Sequence, residues 1–297
     1  DFDFDFFMSF AQFNNHQFKN NQRFWTYVIP KIDLIFDDWS VSGGAKIGFY
    51  DDAAKGGSGF LLPDLMVSYK FGNNLSVYGE VKGDIERNDY KSVISQNRHV
   101  SDSISLNTSI EQIGLKLGAL GILLPRMTYD INFSIKSIND QMYFRNNKND
   151  PSYFDVVYDL GSSSRFDFES YFNYHVTNQL SWFTLIKYNS IKTSTIQKPW
   201  HIPSVSFQIG SKFKLMNDRL VISPFFINFF DIKATSQDEQ IISLPSVMDF
   251  GMDINTVFRE NIGVFLKIRN LLGKENQIYN LYSSREFDIY GGISVRF

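Results

Sequence analysis

Histidines and carboxylates are the side chains of this sequence best suited to moving protons. There are four histidines, His16, His99, His175 and His201, and no cysteine to act as a thiol nucleophile. A hydrolytic site needs an imidazole beside a hydroxyl or a carboxylate. His175 comes nearest, but its candidate partner Asp167 lies well back along the same predicted strand, so the pair reads as solvated scatter. No cluster of His or Cys suits a metal ion, and the acidic start at 1–5 alternates with Phe as the wet face of a strand would, unlike a calcium loop. Gly56-Gly57-Ser58-Gly59 lacks the lysine and following helix of a phosphate loop and reads as a flexible outer loop. The expectation is a chain that is not an enzyme and holds neither cofactor nor metal.

The charged residues show a different pattern. Lys70, Glu80, Lys82, Asp84, Lys116, Asp130, Lys136, Asp167, Glu169, Lys212, Lys214, Asp249, Asp253, Lys267, Arg269 and Arg296 all sit where alternate positions are apolar. Lys31, Lys46, Lys187, Asp33, Asp64 and Asp288 follow the same register. Successive side chains in a strand point to opposite faces, so this arrangement puts charge on one face and hydrocarbon on the other. The two signs nearly balance. That fits a network in which opposite charges pair across neighbouring strands, and it also fits a wet channel wall offering mixed charge to polar solutes.

The elements that would hold these residues are long strands. Phe287, Ile289, Gly291, Ile293, Val295 and Phe297 oppose Asp288, Tyr290, Gly292, Ser294 and Arg296. The same division recurs at 2–10, 127–136, 205–215 and 248–255. These runs reach the roughly 9–11 residues of a tilted membrane strand. Short turns are expected at 37–38, 72–74, 120–124, 177–179, 216–219 and 259–261, alternating with longer polar connections at 14–23, 51–59, 88–106, 140–163, 192–202, 233–244 and 271–285. Barrels of the outer membrane alternate short periplasmic turns with long outer loops in this way. The fold class is therefore all-β: a transmembrane antiparallel up-and-down β-barrel of about fourteen strands, with twelve to sixteen possible and both termini periplasmic, forming one domain over 1–297. Strands are expected near 2–13, 24–36, 39–50, 60–71, 75–87, 107–119, 125–138, 164–176, 180–191, 203–215, 220–232, 245–258, 262–270 and 286–297. Phe154 to Asp159 could extend a strand beyond the membrane, and an inward fold of 88–106 or 140–163 could close the lumen. Trp39 and Trp182, after short turns, and Trp25 and Tyr27, after an outer loop, fall at girdle depth.

Composition agrees. Thirty Phe, fifteen Tyr and four Trp, 16% aromatic residues in all, accompany a mean hydropathy of −0.20. So polar a chain has use for that many rings if they face lipid from strands that are wet on the other side. No window approaches the eighteen or so apolar residues of a spanning helix. A net charge of −3 gives no reason to expect a nucleic-acid partner. The sequence starts at Asp1 with no basic or apolar leader, so a signal peptide or an amino-terminal plug or periplasmic domain could precede it.

Three carboxyl-terminal segments, Ile268-Arg269-Asn270-Leu271-Leu272-Gly273-Lys274, Ile278-Tyr279-Asn280-Leu281-Tyr282 and Phe287-Asp288-Ile289-Tyr290-Gly291-Gly292, together with Phe297, resemble the end of TonB-dependent-receptor-like barrels of Bacteroidota. Pro199-Trp200-His201-Ile202-Pro203 and Leu62-Pro63-Asp64-Leu65 are similar to loop-to-strand junctions in the same group. The last strand, with Phe287, Tyr290, Val295 and Phe297, resembles the signal that the barrel-assembly machinery reads. Asp102-Ser103-Ile104 is similar to the short O-glycosylation motif of Bacteroidota. The resemblance implies outer-membrane location, contact with outer-membrane lipid and, in the full family, energised uptake through a plug domain; no plug or transducer-binding box is visible here, and the family has twenty-two strands. Two functions follow as expectations: a channel or transporter for small polar solutes, or a non-conducting subunit of a larger envelope complex for barrel assembly, secretion or nutrient uptake.

Overall fold

The computed structural model describes residues 2–13, 21–52, 56–102, 104–259, 261–284 and 286–295. The chain begins with β1 (Phe2–Phe13), β2 (Asn21–Phe36), β3 (Trp39–Asp52), β4 (Gly56–Phe71) and β5 (Leu75–Glu86), followed by a short helix, α1 (Tyr90–Gln96). Next come β6 (Ser109–Leu124), β7 (Met127–Asn146), β8 (Phe154–His175), β9 (Leu180–Lys192), β10 (Val205–Leu215) and β11 (Leu220–Phe230). A small hairpin of β12 (Lys233–Thr235) and β13 (Ile241–Ser243) precedes β14 (Val247–Arg259) and β15 (Ile262–Arg269). A second, β16 (Gln277–Tyr279) and β17 (Tyr282–Ser283), precedes the last strand, β18 (Asp288–Val295).

Fourteen of these strands form one antiparallel sheet in chain order, β1 to β11 and then β14, β15 and β18, with the two hairpins outside it. This is the up-and-down wall of an outer-membrane barrel. Among the described residues no ladder joins β1 to β18. An even number of strands puts Phe2 and Val295 at the same end, that of the short turns.

The alternation works as the residue types require. Phe2, Phe4, Phe6, Met8 and Phe10 share one face of β1 and are 58–69% exposed. On a soluble protein so large an apolar face would be a liability, whereas in a bilayer it meets lipid. On the other face Phe7 stacks on Tyr27 of the next strand, ring centroids 4.7 Å apart. None of the described helices is long and apolar enough to cross a membrane, so the crossing falls to the strands.

Rings on the charged face lie over glycines of the adjacent strand. Tyr78, Phe183 and Phe225 stand directly opposite Gly118, Gly210 and Gly251. A Cβ on those glycines would come within 2.3, 2.5 and 2.4 Å of the facing ring, so the flat packing of each ring depends on the missing side chain. Two interior prolines leave matching gaps, because proline has no N–H for the ladder. Pairing of β2 with β3 lapses between Val28 and Lys31, around Pro30, and pairing of β10 with β11 lapses between Phe213 and Gly210, opposite Pro224.

Several sequence boundaries are corrected. Residues 120–124 belong to β6, and the turn is at 125–126. Most of 140–163 is strand: β7 and β8 stay paired up to Asn146 and Phe154, well beyond the span of a membrane strand, because their apolar residues pack on other outer segments. Gly56 to Gly59 begin β4 and pair with β3, where Gly57 leaves room for the ring of Phe49; they are not a loose loop. Trp25 and Tyr27 are not girdle residues. Both point away from lipid: Trp25 is buried, its indole N–H donating to Thr108 Oγ1, and Tyr27 packs on Phe7. Trp39 and Trp182 are half-exposed on the lipid face, as expected.

Candidate functional site

The charged face between β5 and β10 forms a cleft of about 600 Å³ whose lining includes Glu80, Lys82, Asp84, Glu111, Lys116, Lys136, Arg165, Asp167, Glu169 and Lys187. Cross-strand register explains the assembly. Glu80 faces Lys116 and Glu169 faces Lys187 directly, while Lys136 faces Arg165. The like-charged pair is relieved on both sides: Lys136 Nζ bonds Glu111 at 3.2 Å, and Arg165 Nε bonds Asp167 at 2.7 Å. Lys187 meets Glu169 at 2.8 Å, and Lys46 reaches across β4 to Asp84. Lys116 adds a cation over the Tyr78 ring at 5.7 Å.

Seven of the sequence candidates, Glu80, Lys82, Asp84, Lys116, Lys136, Asp167 and Glu169, thus share one cleft. Asp130 lies beside it, 3.5 Å from the Tyr78 hydroxyl. A second group sits on β14 and β15. There Arg269 bonds Asp253 at 2.5 Å and covers the Phe225 ring at 4.9 Å, while Asp249 accepts the backbone N–H of Asn270 at 2.7 Å. Lys267 stands 5.9 Å from the centroids of both Phe265 and Tyr290. Lys70, Lys212 and Lys214 fall outside both groups, towards the short turns; Lys214 bonds Asp218 of the turn itself at 3.3 Å. Phe287, Tyr290 and Val295 are exposed. Arg296 and Phe297 lie outside the described residues, as do His16 and Ser103.

Sequence reasoning missed Glu111 and Arg165. By strict alternation from Lys116, Glu111 would face lipid, but the register of β6 shifts between Glu111 and Ile113 and turns it inward. Arg165 simply continues the series Asp167, Glu169, so the sequence did contain that signal.

The opposite end from the short turns is covered. Val93 of α1, Ile104, Leu106, Met142, Phe144 and Phe154 form a buried cluster, with Tyr279 and Tyr282 packed against it. These residues come from three separate outer connections, those after β5, β7 and β15. Tyr279 donates to the carbonyl of Gln96 at 3.0 Å, Tyr282 donates to the carbonyl of Ser152, and His99 stacks on Tyr282 with centroids 3.5 Å apart. The connection after β15 therefore reaches the connection after β5 across the mouth. Residues 88–106 and 140–163, the stretches expected from the sequence to be able to close the lumen, both contribute to this cluster, the second through the paired tops of β7 and β8; the contribution of 277–283 was not expected. Ile104, the last residue of the glycosylation-like motif, is buried in this cluster.

Two polar groups fasten the cover. Arg23, 4% exposed, bonds Asp52, 1% exposed, at 2.7 Å, and also donates to Asn88 O and Thr108 Oγ1, both at 3.0 Å. Asp159, at the top of β8 beyond the membrane span, accepts from the Ser163 hydroxyl and from the backbone N–H groups of Ser194, Thr195 and Ile196. Burial pushes its carboxyl up, but those donors outweigh it and hold it down at about 2.

None of the described histidines forms a catalytic pair. His175 lies 3.1 Å from the Asn173 amide and does not bond Asp167. His201, in the connection before β10, donates from Nδ1 to Ile278 O at 3.0 Å and packs edgewise on Phe154 with centroids 5.2 Å apart. Burial lowers it to about 4, against a smaller upward effect from the Ile278 carbonyl, so it is neutral in the closed cover.

Solved structures resemble this arrangement over nearly the whole chain. The FrpB iron transporter of Neisseria meningitidis aligns with a TM-score of 0.69 at 12% identity, over 94% of this chain and 45% of its own. The copper transporter OprC gives 0.69 at 9% identity, over 94% and 48%, and the ferric-catecholate import receptor Fiu of E. coli K12 gives 0.63 at 10%, over 94% and 45%. This is the TonB-dependent-receptor-like barrel fold. The chain spans about half the length of those proteins. Those proteins are transporters and an import receptor. No family model and no curated protein matches the sequence. Fold and apolar outer wall together place the chain in the bacterial outer membrane.

Proposed function

We propose that this chain is the wall of an outer-membrane transporter that passes small polar solutes, with the β5–β10 cleft as part of its lumen lining. The observation that carries this reading is the cleft's chemistry: about 600 Å³ walled by lysine, arginine, glutamate and aspartate, with neither sign dominant. Such a wall replaces water around polar groups of either charge without holding one ion strongly. The likeness to iron, copper and siderophore barrels supports transport as the class, and the solute proposed here is of general polar type. The carboxyl-terminal motifs support an origin among Bacteroidota. Insertion would use the barrel-assembly machinery acting on the last strand.

A specific observation favours a second reading. The aromatic cover joins outer segments across the mouth, and paired charges brace the wall, as suits a closed barrel serving as a subunit of a larger envelope complex. Single-channel conductance of the full-length folded protein in a planar bilayer separates the two. Steady current with weak ion selectivity is expected for the transporter. Silence from a barrel shown to be folded, together with a co-purifying envelope protein, would favour the subunit.

A further inference from the structure

A cavity of about 450 Å³ lies between the connection after β15 and the charged face of the wall, at the outer ends of β11, β14, β15 and β18. The wall contributes Ile227, Phe229, Val247 and Asp249 to its lining, and the connection contributes Ile278, Tyr279 and Tyr282. Small-molecule sites of roughly 300–1,000 Å³ have this make-up, mostly apolar and aromatic with a few polar groups that converge.

The connection is a strap tied to the wall. The side chain of Asn276, a residue only 5% exposed, accepts from the Met248 N–H at 2.8 Å and donates to the Met248 carbonyl at 2.6 Å, adding a rung to β14. Ser284 N–H donates to Asn276 O at 2.7 Å and brings the two ends of the strap together. Tyr279 and Tyr282 line the cavity with their rings and hold the strap to the rest of the cover with their hydroxyls.

The charges beside the cavity do not cancel. Arg269 bonds Asp253 at 2.5 Å and stands opposite Asp288 in the ladder, while Lys267 stands opposite Asp253. Asp249 accepts the Asn270 N–H with Oδ1 at 2.7 Å and forms no ion pair among the described residues. Three carboxylates thus meet two cations, and the negative charge left over belongs to a half-buried residue of the lining. The same lining holds the rings of Phe229, Tyr279 and Tyr282, and aromatic faces attract cations. Carboxylate and rings select the same sign.

We infer that this cavity binds a small organic cation, an ammonium group on an aromatic or apolar body, with Asp249 taking the ammonium and the rings enclosing the body. The occupant touches wall and strap together and so holds the strap down. Binding there does not depend on whether the lumen conducts, so the failure of this inference and the failure of the transport reading are separate results.

The test is calorimetric titration of the full-length protein in nanodiscs, against empty nanodiscs, with benzylamine, benzyl alcohol and benzoate. Saturable binding of benzylamine is expected, with the neutral alcohol weaker by roughly tenfold and benzoate weaker still. Benzylamine should also slow hydrogen exchange of the 276–284 amides. Asp249→Asn keeps an acceptor for the Asn270 N–H and removes the charge, so it should bring benzylamine down to the level of the alcohol. Phe229→Leu should weaken benzylamine by a few fold without touching the cover. Both are read in variants whose heat-modifiable migration shows a folded barrel, and the comparison of the three probes on the unaltered protein stands without them. Uptake no greater than in empty nanodiscs, equal binding of the three probes, preference for benzoate, or an unaffected Asp249→Asn variant would overturn the assignment.

Discussion

The charged wall between β5 and β10 and the cover over the mouth both use ion pairs, but in opposite circumstances. In the wall, Lys187–Glu169, Lys136–Glu111 and Arg165–Asp167 are partly wet, and each has charged neighbours able to replace a lost partner. In the cover, Arg23–Asp52 is almost fully buried and fastened by further bonds to Asn88 and Thr108, and Phe154 is fully enclosed. The wall tolerates change because water screens it, whereas the cover depends on a few contacts that water cannot replace.

The largest break in that comparison should come from Asp52→Ala, which strands the Arg23 guanidinium. Opening of the 88–108 connection, followed by hydrogen exchange, should become easier by about 3–5 kcal/mol. Replacing Arg23 and Asp52 together with apolar residues of similar volume should recover much of this; no recovery would mean that the pair does more than satisfy itself. Phe154→Ala should cost a comparable ~3–5 kcal/mol in the same measurement, through the cavity left at the centre of the cluster.

Acid should come next. His201 is neutral in the closed cover, so its contribution is complete above its ordinary value of 6.5 and is lost as pH falls through about 4. Asp159 acts in the same direction lower down, complete above its ordinary 3.8 and lost as pH falls through about 2. Protease cleavage within 193–204 should therefore rise from pH 7 to pH 4, and the rise should flatten in His201→Phe. Unchanged cleavage over that interval would remove His201 from the closure.

The smallest effect belongs to the wall. Lys187→Gln should alter stability by less than about 1 kcal/mol in urea unfolding, because the pair with Glu169 is half-exposed. A loss as large as that of Asp52→Ala would erase the distinction between the two regions.

Alternation of charge and hydrocarbon was enough to read fourteen strands, their order and the face of nearly every charged candidate, because side-chain direction in a strand is a local property of period two. It failed where the local rule changes, at the β6 register shift that turns Glu111 inward and at the extended tops of β7 and β8. The cover was scarcely legible. Arg23 and Thr108 are far apart in the chain, as are Gln96 and Tyr279, and no period links them. The sequence by itself determined the wall, since each strand pairs with its chain neighbour and lipid selects the apolar face. Only the tertiary structure decided which outer segments meet across the mouth and which charges are buried there, because those contacts depend on how the whole sheet curls.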